Sequence, residues 1–122
     1  MAQLESIPFW KPGQTVTGHA EADVLANRFV AVSGPRVDGN PQVSHVAGAR
    51  VAGVASVSKA AGSKVMFWAD GVLAVEAGAA LTAGQAVESD GQGRAIPHAS
   101  GEVAGIAWDD VAAGAVGPIK SV

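Results

Sequence analysis

The chain has no cysteine and no tyrosine, and only three tryptophans and three phenylalanines among its 122 residues. The missing cysteine excludes a disulfide framework, a thiolate metal centre and a thiol nucleophile. Charge is sparse as well. Eight basic and eleven acidic residues leave a formal net charge of -3, and the basic ones are scattered rather than clustered as a nucleic-acid interface requires. No apolar run approaches the roughly 18 residues of a membrane helix. The N-terminus also lacks the basic start and apolar core of an export signal, so the expectation is a chain that is cytosolic when made, with neither nucleic acid nor membrane as partner.

Signatures of catalysis are equally thin. There is no Gly-x-Ser-x-Gly elbow, no phosphate-binding Gly-Lys loop and no His-Glu-x-x-His helix. What is abundant is alanine, valine and glycine: the hydrophobic share is 48%, and 16 residues are glycine. The alanines sit among Val, Gly, Ser and Thr without apolar recurrence at helical spacing, which points to thin, closely packed strands joined by many turns.

Laid against itself, the sequence repeats. Val51-Ala52-Gly53-Val54-Ala55 returns as Val103-Ala104-Gly105-Ile106-Ala107, and Ala60-Ala61-Gly62 as Ala112-Ala113-Gly114, both at an offset of 52 residues. Upstream, Leu25 to Val30 parallels Thr82 to Val87 at an offset of 57, a change attributed to a longer first-copy loop from Gly34 to Ser44. His45 and Gly48 precede the first Val-Ala-Gly much as His98 and Gly101 precede the second. Two copies are too few for a solenoid, so the expectation is a single domain over 14-122 with half-modules of about 14-70 and 71-122.

Turn chemistry agrees with the alignment. Asn27 and Gly84 fall at equivalent positions, and these are the residue types that best tolerate a left-handed backbone. Asp38-Gly39, Asp70-Gly71 and Asp90-Gly91 add turn signals. Between them, strands are expected near 14-20, 28-33, 50-57, 64-68, 72-76, 85-89, 93-97, 102-108 and 115-120. The fold class is mainly β, a small barrel or sandwich with internal pseudo-duplication and room for short helical turns around 77-83 or 111-114. In the strand from Arg28 to Val32, Phe29 and Ala31 share one face while Arg28, Val30 and Val32 share the other. Both faces are partly apolar, which implies cover on both sides.

Residues 1-13 differ from the rest. Ile7-Pro8-Phe9-Trp10-Lys11-Pro12-Gly13 sets two aromatics between two prolines, a composition suited to an extended N-terminal arm; folding back to plug one end of a barrel is its structural alternative.

Other residues read as structural. His19, Glu21 and Asp23 alternate and would share a strand face, but nothing nearby completes a metal shell. His45 and His98, as repeat equivalents, point to a hydrogen bond across each module's loop. Asp109-Asp110 belongs to a turn, and Gly91-Gln92-Gly93-Arg94 lacks the third glycine of a dinucleotide site and reads as a hairpin. Lys59 could be imagined as the hairpin-tip lysine of a lipoyl or biotinyl carrier, yet its counterpart is Val111, and a surface lysine is the simpler reading. No catalytic residue, cofactor or metal is assigned. Whether Trp68 and Trp108 lie in core or interface, periodicity does not decide.

The run from Val51 to Val122 resembles the small capsid decoration, or cement, proteins of tailed bacteriophages. It does so through Val-Ala-Gly-Val-Ala, Ala-Ala-Gly, Asp70-Gly71-Val72, Leu81-Thr82-Ala83-Gly84-Gln85-Ala86-Val87, and Gly105-Ile106-Ala107 with Ala113-Gly114. The resemblance implies a non-enzymatic virion subunit, commonly a homotrimer, that sits on the outer capsid surface after assembly in the host cytoplasm. There it would stabilise the head by bridging subunits of the major capsid protein. Ile7, Pro8, Phe9, Trp10 and Lys11 are then the candidate capsid contacts. A tail or baseplate structural module is the alternative of like composition, and a small carrier domain a remoter one.

Overall fold

The computed structural model describes residues 15-122. Ten strands run in chain order: β1 Thr15–Ala20, β2 Phe29–Val37, β3 Asn40–Ser44, β4 Gly53–Ala55, β5 Lys64–Trp68, β6 Val72–Glu76, β7 Ala86–Ser89, β8 Ala95–Pro97, β9 Gly105–Ala107 and β10 Val116–Ser121. Among the described residues there is no helix; the stretches left open for one carry instead an isolated bridge between Leu81 and Val111.

The first five strands close into a barrel in the order β1-β3-β2-β4-β5, and the last five form a sheet ordered β6-β10-β9-β7-β8. The two orders are the same once each strand is matched to the one five later. β1 pairs antiparallel with β5 as β6 does with β10, and β4 lies between β2 and β5 as β9 lies between β7 and β10. The parallel contact of β1 with β3 is reduced in the second half to one bridge, Ala77 with Ala95.

The repeat extends to individual hydrogen bonds. The Asn27 N–H donates to Ala55 O as Gly84 N–H does to Ala107 O, and Gly62 N–H donates to Ala20 O as Gly114 N–H does to Ala77 O. Asn27 and Gly84 both hold a left-handed backbone, with φ of 59° and 86°, as the alignment requires of them. A side-chain oxygen from the facing turn accepts the amide before each: Ala26 N–H donates to Ser58 Oγ, and Ala83 N–H to Asp110 Oδ1.

The glycine of Val-Ala-Gly has a physical reason in both copies. A Cβ on Gly53 would fall on the Trp68 carbonyl oxygen and lie 2.8 Å from the Phe67 ring; one on Gly105 would lie 2.5 Å from Lys120 O and 2.7 Å from Ile119. Each marks a place where the neighbouring strand's backbone comes too close for any side chain.

Two core clusters fill the halves. Val16, Ala20, Val24, Val30, Val43, Ala55, Val65 and Phe67 fill the first barrel. The second contains Val75, Ala77, Leu81, Val87, Ala95, Ala104, Ala107, Val111 and Ile119, and it also takes in Phe29 and Val54 from the first half. Strands β2 and β4 therefore bury both faces, Phe29 and Val54 on one side and Val30 and Ala55 on the other, which accounts for their double-sided apolar pattern.

The same segment closes the second half. Where β6 and β8 fail to pair along their length, Asn27 to Phe29 fill the gap: Glu76 N–H donates to Asn27 O at 2.9 Å, and Phe29 N–H to Gly93 O at 2.7 Å. Arg28 lies between these two bonds. Its guanidinium meets Glu76 Oε2 at 2.9 Å and donates to Gln92 O at 3.0 Å, from a side chain only 13% exposed.

Two expectations need correction. The stretch from Gly34 to Ser44 is not a loop: β2 runs on to Val37, turns through Asp38 and Gly39 with φ of 52° and 81°, and returns as β3. Pro35 and Pro41 argue against a sheet interior, but this ribbon tolerates them through register shifts between Val32 and Gly34 and between Gly34 and Val37. The alignment of His45 with His98 is also one residue out. Ala31 pairs with Ser44 as Glu88 pairs with Ile96, so the counterpart of His45 is Pro97.

Candidate interaction surfaces

Ile7, Pro8, Phe9, Trp10 and Lys11, the capsid contacts expected from sequence, lie outside the described residues. The other singled-out groups are placed, and most of them are engaged in holding the fold. The alternation of His19, Glu21 and Asp23 breaks after Ala20, where β1 ends. Asp23 Oδ1 accepts the Ala61 N–H, and Glu21 accepts the Ser33 hydroxyl. Among the described residues no group of three or more His, Asp or Glu side chains could hold a metal ion.

His45 receives the Leu25 N–H at Nε2, 3.0 Å away, so its Nδ1 must carry the proton and donate to Phe29 O at 2.7 Å. Both ring nitrogens are occupied by backbone. His98 makes a different local contact, Nε2 to Gly101 O at 2.8 Å. Asp90 is the hinge of the β7-β8 hairpin, where Oδ1 accepts the amides of Gln92 and Arg94 and Oδ2 meets Arg94 Nε at 2.9 Å. Asp109 Oδ1 takes the next residue's amide in a turn, and Lys59 is exposed beside its bridge to Val24.

Sequence reading passed over Glu88. Its carboxylate is buried and accepts the Ala99 N–H at 2.5 Å and the Gly101 N–H at 3.1 Å, tying down the loop after β8. That loop packs on the other half: Gly48 N–H donates to Ser89 O, and Glu102 N–H to Gly48 O. The Ala99 amide is the main cause that holds the Glu88 carboxyl below its ordinary value; burial opposes it, and the Gly101 amide and nearby His98 assist. At Asp90 burial pushes upward, but the Arg94 and Gln92 amides and the Arg94 guanidinium outweigh it, and the net shift is downward.

A folded-state pKa depressed below the unfolded value contributes stability that is present above the unfolded value, near 4 for these groups, and is lost as pH falls through the folded one. The protein should therefore lose stability progressively as pH drops below about 4.5. In urea titrations at pH 7 and pH 3.5, Glu88→Gln should narrow the difference between the two; an unchanged difference would exclude this carboxylate as a contributor.

The surface features that remain are apolar. Trp68 is 41% exposed and flanks a groove of about 390 Å³ between the halves, lined also by Asn27, Ser56, Val72, Leu73 and Ala74. Beside it lies the outer face of β6, β10 and β9. Register fixes which residues share that face: Ala86, Ile106, Lys120 and Val72 form one row across four strands, and Pro118 with Ala74 begins a second. Trp108 joins the second row, its N–H donating to Pro118 O. Val72, Trp108 and Val116 are 43%, 59% and 50% exposed.

Large apolar side chains stand exposed on the strands, and Glu21, Asp23, His45, Glu88, Asp90, His98, Asp109 and Asp110 are bonded within the fold, which defines a β-structural protein. Phage cement proteins as a family match residues 10-120, and the chain belongs to that family. It is thus a capsid-associated structural protein of the phage virion. No curated protein matches it. Among solved structures it is similar to the N base of the head fiber gp8.5 of bacteriophage phi29, with a TM-score of 0.74 at 23% identity, covering 89% of this chain and 93% of that one. At that identity the likeness speaks to the fold.

Proposed function

We propose that the protein is a non-enzymatic clamp on the outside of a phage head. It binds after assembly in the host cytoplasm and stabilises the shell by bridging neighbouring major capsid subunits, as a self-associated subunit, a homotrimer by the family resemblance. Family membership over residues 10-120 is the observation that carries this reading. The physical character of the chain supports it: a shared core between the halves makes a rigid body, and a modest contact energy is multiplied over many copies on a shell. Residues 14-122 then act as one unit of two half-modules, and residues 1-13 as an arm whose Ile7, Pro8, Phe9, Trp10 and Lys11 meet the capsid.

Deleting residues 2-12 tests the arm. Binding to undecorated heads should fall at least tenfold in a sedimentation assay while thermal unfolding of the free protein barely moves. Undiminished binding would remove the arm from the contact.

A further inference from the structure

We infer that the groove beside Trp68, between the two halves, is the seat of this chain's own Phe9-Trp10 pair in the free subunit. The register of the sheet provides the first argument. Thr15 lies opposite Trp68 in the β1-β5 pair, and Trp68 lies opposite Val54 in the β4-β5 pair, so the three share one row on the outer face. Val54, 3% exposed, lies in the floor of the groove, and Trp68 and Val72, 41% and 43% exposed, stand at its sides. The chain that precedes Thr15 therefore joins the fold one strand away from the groove.

Reach and direction agree with that starting point. Phe9 and Trp10 stand six and five residues before Thr15, a tether that spans at most about 20 Å when extended. Between them and β1, Lys11-Pro12-Gly13-Gln14 places proline and glycine in the order that favours a reversal of the chain. A segment reversed there is directed back over the body of the subunit.

The lining suits an aromatic occupant. Its volume of about 390 Å³ falls within the range of pockets that hold small apolar ligands, and no charged side chain lines it. Its polar groups are already committed: the Ser56 hydroxyl donates to Met66 O, the Asn27 N–H donates to Ala55 O, and the Asn27 carbonyl accepts the Glu76 N–H. What the groove still offers is apolar surface and the face of an indole, against which a second ring stacks or packs edge-on. Ordering the tether costs entropy that offsets much of the gain from burying a ring, so the seat changes the exposure of Trp10 and Trp68 more than it changes the unfolding midpoint. The seat is argued from the fold alone. Its consequence, that the arm must leave the groove to meet a capsid, rests on the proposed function.

The test reads the exposure of single tryptophans by acrylamide quenching of the free protein. With Trp10→Phe and Trp108→Phe in place, Trp68 is the one fluorophore, and deleting residues 2-12 should at least double its quenching constant. With Trp68→Phe and Trp108→Phe in place, Trp10 reports, and adding Ala74→Glu at the groove should at least double its quenching constant while the circular dichroism spectrum is retained. Both effects should be independent of protein concentration. An unchanged quenching constant in either arm overturns the inference. So does protection that disappears on dilution, because the groove is then filled by a second copy. Binding of the wild-type protein to undecorated heads is assayed in parallel. If quenching responds as expected and heads bind no protein, the seat stands and the proposed function fails. If heads bind and quenching does not respond, the seat fails and the proposed function stands.

Discussion

Phe29→Ala should lower the unfolding free energy by about 4 kcal/mol, the range of large aromatic truncations in packed cores. The side chain is 1% exposed and lies in the second half's core, although its strand belongs to the first half's barrel. Its backbone is engaged on both sides as well, donating to Gly93 O and accepting from His45 Nδ1, each at 2.7 Å. Removing the ring empties the place where the second half is closed by a foreign segment, and small neighbours such as Ala77, Ala95 and Ala107 cannot collapse to fill it. Out of a total of about 5 to 15 kcal/mol for a domain, that loss brings the protein close to its threshold. Urea unfolding followed by tryptophan fluorescence and by circular dichroism should shift together to a lower midpoint. A loss under 1 kcal/mol would mean the two halves do not depend on this contact.

Gly105→Ala should cost about 3 kcal/mol, through overpacking against atoms that cannot retreat. The obstacle is Lys120 O, 2.5 Å from the added Cβ, and that carbonyl belongs to β10, which is pinned between β6 and β9. The same change at Gly53 meets the Trp68 carbonyl. Gly62→Ala and Gly114→Ala make the informative contrast, because nothing lies within 4 Å of either added Cβ, and only the left-handed φ of 85° and 83° opposes the change. Those should cost about 1 kcal/mol. Equal losses at all four glycines, measured by thermal unfolding, would refute a steric origin for the conserved spacing of the repeated motif within this chain.

The repeat was legible because its physical causes are local. Gly53 and Gly105 recur where strands approach too closely for a side chain, and Asn27 and Gly84 recur where the backbone turns left-handed, so the sequence carries them at matching offsets. The β2-β3 hairpin was not legible, since Pro35 and Pro41 suppress the strand signal and the register shifts that accommodate them leave no mark of their own. His45 and His98 misled for a related reason: strand register makes Pro97 and not His98 the counterpart of His45, and a displacement of one residue, invisible in a loose alignment, sends a side chain to a different contact. Alternation showed that Phe29 and Val30 both need cover, but not that the cover is two different cores. It left Trp108 undecided between core and interface, because periodicity reports direction and not neighbours.

Capsid association is the claim on which the rest depends, and the direct measurement is the stability of heads with and without the protein. Undecorated heads are incubated with the purified full chain, and genome release is followed on heating. The account predicts saturable binding at a fixed ratio to major capsid subunits and a release temperature that rises with occupancy, as mass action requires of a ligand that prefers the intact shell. Heads that bind no protein, or that bind it to saturation and release their genome at an unchanged temperature, would contradict it.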